Sequence, residues 1–329
     1  MNRVLTGDVL PAWFGAGEMT VAPLPSGTNN DSYAVQGAGG RFFLRVYRHV
    51  FDRDRIQYEH ALLGRLSAMN LPFAVPAPLP ARSGETLVIS SEGARAALFP
   101  FLPGMHANSE DPAQLRACGA ALAALDAAMA TIDLPPASVG LLEYGAFPAV
   151  HAAAPDPSEV IAGLSPEEKE RHQIARILDS LAVVAPRLAA QLPGQIVHRD
   201  LDASNVLVVD GRVTAVLDFE FARPDIRALD LAASLAAFGG AGWEPSAEHW
   251  RLAFAEAYLG RLPLSRPEIE AIPDLMLLAR AASVLHRAGR ERMGSASRDD
   301  VRARAHALLR RAAWLEDHGE ALVRHLLSL

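Results

Sequence analysis

Apolar positions along this chain follow two spacings, and the change comes near residue 100. Before it, short runs read as half-buried strands: Tyr33-Ala34-Val35 alternates, and residues 42–48, 86–89 and 96–99 are rich in strand formers. Ser26-Gly27-Thr28-Asn29-Asn30-Asp31 and Gly37-Ala38-Gly39-Gly40 are turn clusters between them. Residues 52–69 change period, with Ile56, Leu62, Leu63 and Leu66 on one side of a predicted helix. Pro72, Pro76, Pro78 and Pro80 then exclude a helix interior and predict an extended connector. A stiff apolar link, Leu98-Phe99-Pro100-Phe101-Leu102-Pro103-Gly104, closes this part.

Beyond the link the spacing is helical. Asp111 before Pro112 is a helix start, with a capping carboxylate and a proline whose missing N–H is harmless there. Ser165 with Glu168, and Ser265 with Glu268, read as capping boxes, and the residues after 246 predict three or four helices. The expected fold class is α+β in two lobes: residues 1–100 as a small antiparallel sheet with one helix, residues 101–329 mostly helical.

Composition narrows the function classes. A chain of 329 residues at a net charge of -7 has no basic excess, so nucleic acid is not expected as a partner. No stretch is long and apolar enough to predict a membrane span, and MNRVLTGDVL lacks the apolar run of a leader. The expected location is the cytoplasm. The single cysteine, Cys118, shares its spacing with Leu115, Leu122, Leu125 and Met129 and reads as core. Lys169 is the only lysine, so a phosphate-binding cation elsewhere must be an arginine or be missing.

The densest chemistry is His198-Arg199-Asp200-Leu201-Asp202-Ala203-Ser204-Asn205, followed by a hairpin and Asp218-Phe219-Glu220. Asp210-Gly211 between residues 206–209 and 212–216 predicts a two-residue turn. In that register Val209 faces Arg212 and Asn205 faces Val216, which sets Asp218 diagonally across from Asn205. Asn205 and Asp218 are hard ligands suited to Mg2+, with phosphate oxygens completing the shell. Asp200, in the preceding loop, is placed to take the proton of an attacking hydroxyl as catalytic base. Each of these residues alone also reads as a loop cap; order and spacing together carry the argument. His198 reads as support for the loop, and Asp230 as a helix cap that steadies it.

Six further residues are candidates for ATP. Gly27 and Asn30 lie in a turn whose N–H groups suit phosphates, although an ordinary hairpin explains the same residues. Arg45 shares a strand face with Phe43 and Tyr47 and is the candidate phosphate cation. Glu59, on the following helix, is its orienting carboxylate; a surface arginine and a solvated glutamate is the plainer reading. At the link, the Pro100 carbonyl and Leu102 N–H are where an adenine ring would bind.

With these residues in hand, the chain resembles the aminoglycoside phosphotransferase superfamily, small-molecule kinases with a protein-kinase-like fold. The resemblance runs from Gly27-x-x-Asn30-x-x-Tyr33-x-Val35 through Phe43-Leu44-Arg45-Val46 to Asp230-Leu231-Ala232. Asp218-Phe219-Glu220-Phe221-Ala222 with Arg227-x-x-Asp230 looks most like homoserine kinase type II and the stress-response kinases near it. It implies Asp200 as base, Asn205 and Asp218 as Mg2+ ligands, Arg45 with Glu59 as the phosphate pair, and an acceptor cleft lined by C-terminal helices. Three positions depart from the pattern: Arg45 stands for the usual lysine, Arg199 for a frequent glycine, and Asp126 for a frequent histidine.

A short link from Asp218 to Asp230 leaves no room for an activation segment, which favours a small-molecule hydroxyl acceptor over protein. From Leu231 onward 13 arginines stand against 12 acidic residues, so an acidic pocket for a polycationic aminoglycoside is not evident. Arg280, Arg287, Arg290 and Arg292 suit a carboxylate-bearing acceptor such as homoserine, or are solvated. Trp243, Trp250 and Tyr258 suit a choline-like ammonium, or are core. Aminoglycoside, choline and sugar kinases remain alternatives. A stress-response Ser/Thr kinase and a nucleotide-binding pseudokinase, the latter suggested by the missing lysine, remain so too.

Overall fold

A computed structural model describes residues 5–24, 30–47, 53–135, 143–147, 150–154, 156–162, 164, 167–238 and 248–329. Its N-terminal part is a five-stranded antiparallel sheet, β1 (Thr20–Pro23), β2 (Asn30–Gly37), β3 (Gly40–Tyr47), β4 (Val88–Ile89) and β5 (Arg95–Pro100), in the order β1-β2-β3-β5-β4. One face buries Val35, Leu44, Val46 and Leu98 against Leu5, Val9 and Leu10. Those three come from a π-type turn, Leu5–Val9, and the following residue before the short helix α1 (Pro11–Phe14). The sequence reading had assigned this segment nothing. It is pinned at two points: Trp13 Nε1 donates to the Leu79 carbonyl, and the Asp8 carboxylate accepts from Ser91 N–H and Oγ–H.

The longer helix of this part, α2 (Arg53–Ser67), buries Ile56, Leu62, Leu63 and Leu66, the face its period predicts. The proline-rich connector is extended. Ala74 N–H donates to the Thr214 carbonyl and the Ala74 carbonyl accepts from Val216 N–H, which ties the connector to the C-terminal part. After β5 comes β6 (Met105–His106), and then the helices take over.

Helix α3 (Pro112–Met129) starts as expected, with the Asp111 carboxylate accepting from Ala113 and Gln114 N–H. It is followed by α4 (Pro157–Ala162) and α5 (Glu168–Gln191), which begins two residues before Glu170 and carries Lys169 exposed in its first turn. Ser165, read as that helix's cap, lies outside the described residues. Strands β7 (Gly194–Val197) and β10 (Arg223–Ile226) pair antiparallel, while β8 (Val206–Val209) and β9 (Arg212–Val216) form the hairpin beside β6. Helix α6 (Leu229–Ala237) is buried along nearly its whole length. Four helices close the chain: α7 (Glu248–Leu259), α8 (Arg266–Glu270), α9 (Ile272–Arg292) and α10 (Arg298–Ser328). Ser265 and Glu268 make the predicted capping box, and Ser297 with Asp300 makes another that was not predicted.

The hairpin register differs from the expected one. Asp210 and Gly211 both have positive φ, 49° and 74°, as the tight turn requires, and Val209 pairs Arg212. A bulge then intervenes: Val208 pairs Val213 but Leu207 pairs Ala215, so Val206, not Asn205, faces Val216. Thr214 is the extra residue. Its hydroxyl hydrogen-bonds the carbonyls of Leu207 and Pro103, a local reward that compensates for the lost ladder pairing.

Candidate functional site

Between the sheet and the helical part lies a cleft of about 660 Å³, lined by both. Asn30, Arg45, Glu59, Pro100 and Leu102 line it from the N-terminal side, and Asp200, Asn205 and Asp218 from the other. All eight were singled out in the sequence. Gly27 lies outside the described residues.

Arg45, in β3, and Glu59, in α2, meet at 3.0 Å, with only 13% and 6% of their side chains exposed. Strand and helix are consecutive, so a local chain reversal suffices to bring them together. Arg45 also approaches Asp218 Oδ1 at 3.7 Å. Burial opposes its charge, but Glu59 and Asp218 outweigh that cost and hold its pKa raised. Asn30 opens β2 and donates from Nδ2 to Glu220 Oε2 at 3.2 Å. Burial and the Asp218 carboxylate push Glu220 up.

The loop after β7 is held from three sides. Asp230 accepts from the N–H groups of both His198 and Arg199. It is the second residue of α6, whose N-cap is Ala228, so it steadies the loop without capping the helix as expected. His198 is fully buried; its Nδ1 accepts from Asp200 N–H and its Nε2 therefore donates to the Leu217 carbonyl at 2.9 Å. The ring also packs edge-on against Phe219, so this one side chain couples the two loops that present Asp200 and Asp218. Arg199 and Asp218 both adopt positive φ, 70° and 61°, conformations that non-glycine residues hold only when their surroundings impose them. Arg199, the departure from the expected glycine, stacks its guanidinium 3.5 Å from the Tyr144 ring centre and lies 3.8 Å from Asp225.

Asn205 donates from Nδ2 to the Asp200 carbonyl at 2.8 Å, which leaves its Oδ1 for another partner. Asp218 Oδ1 is buried and accepts no hydrogen bond from a described residue. Asp200 is open to the cleft, yet the enclosing protein and the Asp202 and Asp218 carboxylates push its pKa up to about 8. A carboxyl that titrates near neutrality at the floor of a cleft is a group able to accept a proton there.

At the other end of the cleft, Arg280 and Arg287 from α9 and Arg304 from α10 come together near Asp200 and Asp202. Burial and the Arg304 charge lower the pKa of Arg280, whose Nε is buried without a hydrogen-bond partner among the described residues. Arg304 was not foreseen, because nothing local distinguishes it from its neighbours on a long polar helix. Arg292 was foreseen and is elsewhere: it pairs with Glu159 at 3.0 Å. Arg290 lines the cleft and donates to the Ser295 carbonyl. Tyr258 is fully buried and donates to Asp126, so it is no wall of an ammonium cage. Trp243 and the Trp250 side chain lie outside the described residues.

Comparison with known proteins follows the same lines. A family model described as "Phosphotransferase enzyme family" matches residues 20–272. The homoserine kinase of Afipia carboxidovorans is 32% identical over 266 residues, covering 79% of this chain and 75% of that protein. That of Nitrobacter winogradskyi is 30% identical over 282 residues, covering 84% and 80%. Among solved structures, a microcompartment-associated aminopropanol kinase superposes with a TM-score of 0.70 at 18% identity, covering 94% of this chain and 95% of that one. An amicoumacin kinase in complex with AMP-PNP and Ca2+ gives 0.64 at 15%, covering 90% and 88%. The likeness to these structures is one of fold: a small antiparallel sheet set over a large helical part.

Proposed function

This chain belongs to the phosphotransferase enzyme family, and from that premise we propose that it uses Mg2+ and ATP to phosphorylate the hydroxyl of homoserine. The observation that carries this reading is the opposed pair of ends in one cleft. Arg45, Glu59 and Asp218 converge at one, and Arg280, Arg287 and Arg304 surround Asp200 at the other. We take residues 1–100 as the nucleotide lobe and 101–329 as the acceptor lobe, with the cytoplasm as the place where both substrates occur.

Asp200 accepts the proton of the acceptor hydroxyl on its carboxylate and aims the oxygen in line for transfer. Asn205 Oδ1 and Asp218 Oδ1 are the hard oxygen atoms that would hold Mg2+, and Asp218 Oδ1 accepts no hydrogen bond among the described residues. Bound Mg2+ would neutralise charge on the phosphates. Arg45, fixed by Glu59, supplies the second positive charge, so the missing lysine does not leave the phosphate end without a cation. Asn30 and the Pro100 and Leu102 backbone complete the nucleotide end. Because Arg45 is paired and turned toward Asp218, the arrangement supports catalysis over a purely regulatory nucleotide site.

The three arginines suit an acceptor that carries a carboxylate, and they disfavour choline, ethanolamine and aminoglycosides, all cations. Turnover of ATP, measured with Mg2+ against homoserine, choline, ethanolamine, a sugar and an aminoglycoside, tests the proposal. Homoserine is expected to give the highest kcat/KM by at least about tenfold, or ~1.4 kcal/mol in the barrier. A cationic acceptor that outperforms homoserine would overturn the substrate assignment.

A further inference from the structure

Outside the cleft lining, a second group of acids sits directly behind the loop that presents Asp200. Asp126 in α3 and Asp230 in α6 are 0% and 1% exposed and lie in contact. Both oxygens of Asp230 are committed to the His198 and Arg199 N–H groups. Asp126 Oδ2 accepts from the Tyr258 hydroxyl at 2.7 Å, while its Oδ1 receives no hydrogen bond from any described N–H or O–H donor. The nearby cation, Arg227, is already engaged in a two-pronged pair with Glu268 at 2.8 and 2.6 Å.

Two adjacent buried carboxylates, with the nearby Arg227 committed to Glu268, are not both ionised. Asp230 receives two amide donors, one on each oxygen. Asp126 has one donor, and burial and the neighbouring acid raise its pKa well above the carboxylate range. The proton therefore belongs on Asp126, and the oxygen lacking a donor is where it sits.

We infer that Asp126 is a positioning residue for phosphoryl transfer: as a neutral acid it donates a hydrogen bond to Asp230 and fixes the carboxylate that holds the Asp200 loop. The inference rests on the reading of Asp200 as the catalytic base, but the geometry it concerns is separately measurable. Gly119 allows the arrangement, since a Cβ there would strike the Phe254 carbonyl; its absence lets α3 and α7 approach closely enough for Tyr258 to reach Asp126.

The test uses the full chain with two variants of similar size. Asp126→Asn keeps a neutral donor toward Asp230 and an acceptor for Tyr258; Asp126→Leu keeps neither. Amide hydrogen exchange at His198 and Arg199 is read beside kcat and KM with Mg2+, ATP and homoserine. Asp126→Asn should keep wild-type exchange and kcat within about twofold. Asp126→Leu should accelerate exchange at both amides and lower kcat by about tenfold or more, with KM for ATP nearly unchanged. Wild-type exchange in Asp126→Leu, or equal damage in both variants, would overturn the inference. If no acceptor is turned over at all, the kinase assignment falls while the exchange comparison still decides the role of Asp126.

Discussion

Asp200 has its ionisation set by what surrounds it: enclosure in the cleft and the Asp202 and Asp218 carboxylates hold its pKa up to about 8. As the base proposed above, Asp200 must be unprotonated to work, so kcat/KM should rise with pH through that ionisation in the free enzyme. Asp202→Asn removes one of the two raising charges and keeps an acceptor for Ser204, so the rising limb should move to lower pH in a pH–rate profile. An unmoved limb would mean that another group titrates. Arg45 and Glu59 were legible in the sequence because one strand and the next helix present them 14 residues apart. The partners of Asp230 were not, since the two amides lie 32 and 31 residues away and backbone N–H groups leave no trace in residue type. The Asp126–Tyr258 bond was hidden by its separation of 132 residues, and Arg304 by a long polar helix on which nothing local marks it out.

At the scale of elements, periodicity identified β2, β3, α2 and the 206–216 hairpin, because each buries one face and keeps a regular spacing. What it missed was the irregularity that places Asp218. Thr214 is a β-branched residue inside an alternating run, and the sequence carries no mark that it is extruded as a bulge. The approach of α3 to α7 is also invisible locally, since Gly119 inside a helix reads only as a weak helix former. Gly119→Ala forces a methyl group onto the Phe254 carbonyl and should cost about 1–3 kcal/mol of stability, read as a lower denaturant midpoint at unchanged m-value. A neutral result would show that the two helices can part without loss.

For the molecule as a whole, two attachments outside the cleft hold its parts in register. Ala74 binds the proline-rich connector to β9, and Leu5, Val9 and Leu10 cover the back of the sheet that carries Arg45. The second was illegible because a π-type turn and a four-residue helix are too short to show a period. Leu10 is fully buried there, and Leu10→Ala should cost about 2–5 kcal/mol, lowering Tm while kcat per folded molecule holds. A Tm equal to wild type would mean that the segment is an ornament on the sheet. Arg45 has a practical consequence at this scale as well. Acyl-phosphate nucleotide probes label a target by acylating a primary amine beside the bound phosphates, and the sole side chain of that kind, Lys169, projects into solvent at the start of α5. Activity-based surveys built on such reagents would leave this pocket unmarked, however tightly the probe bound.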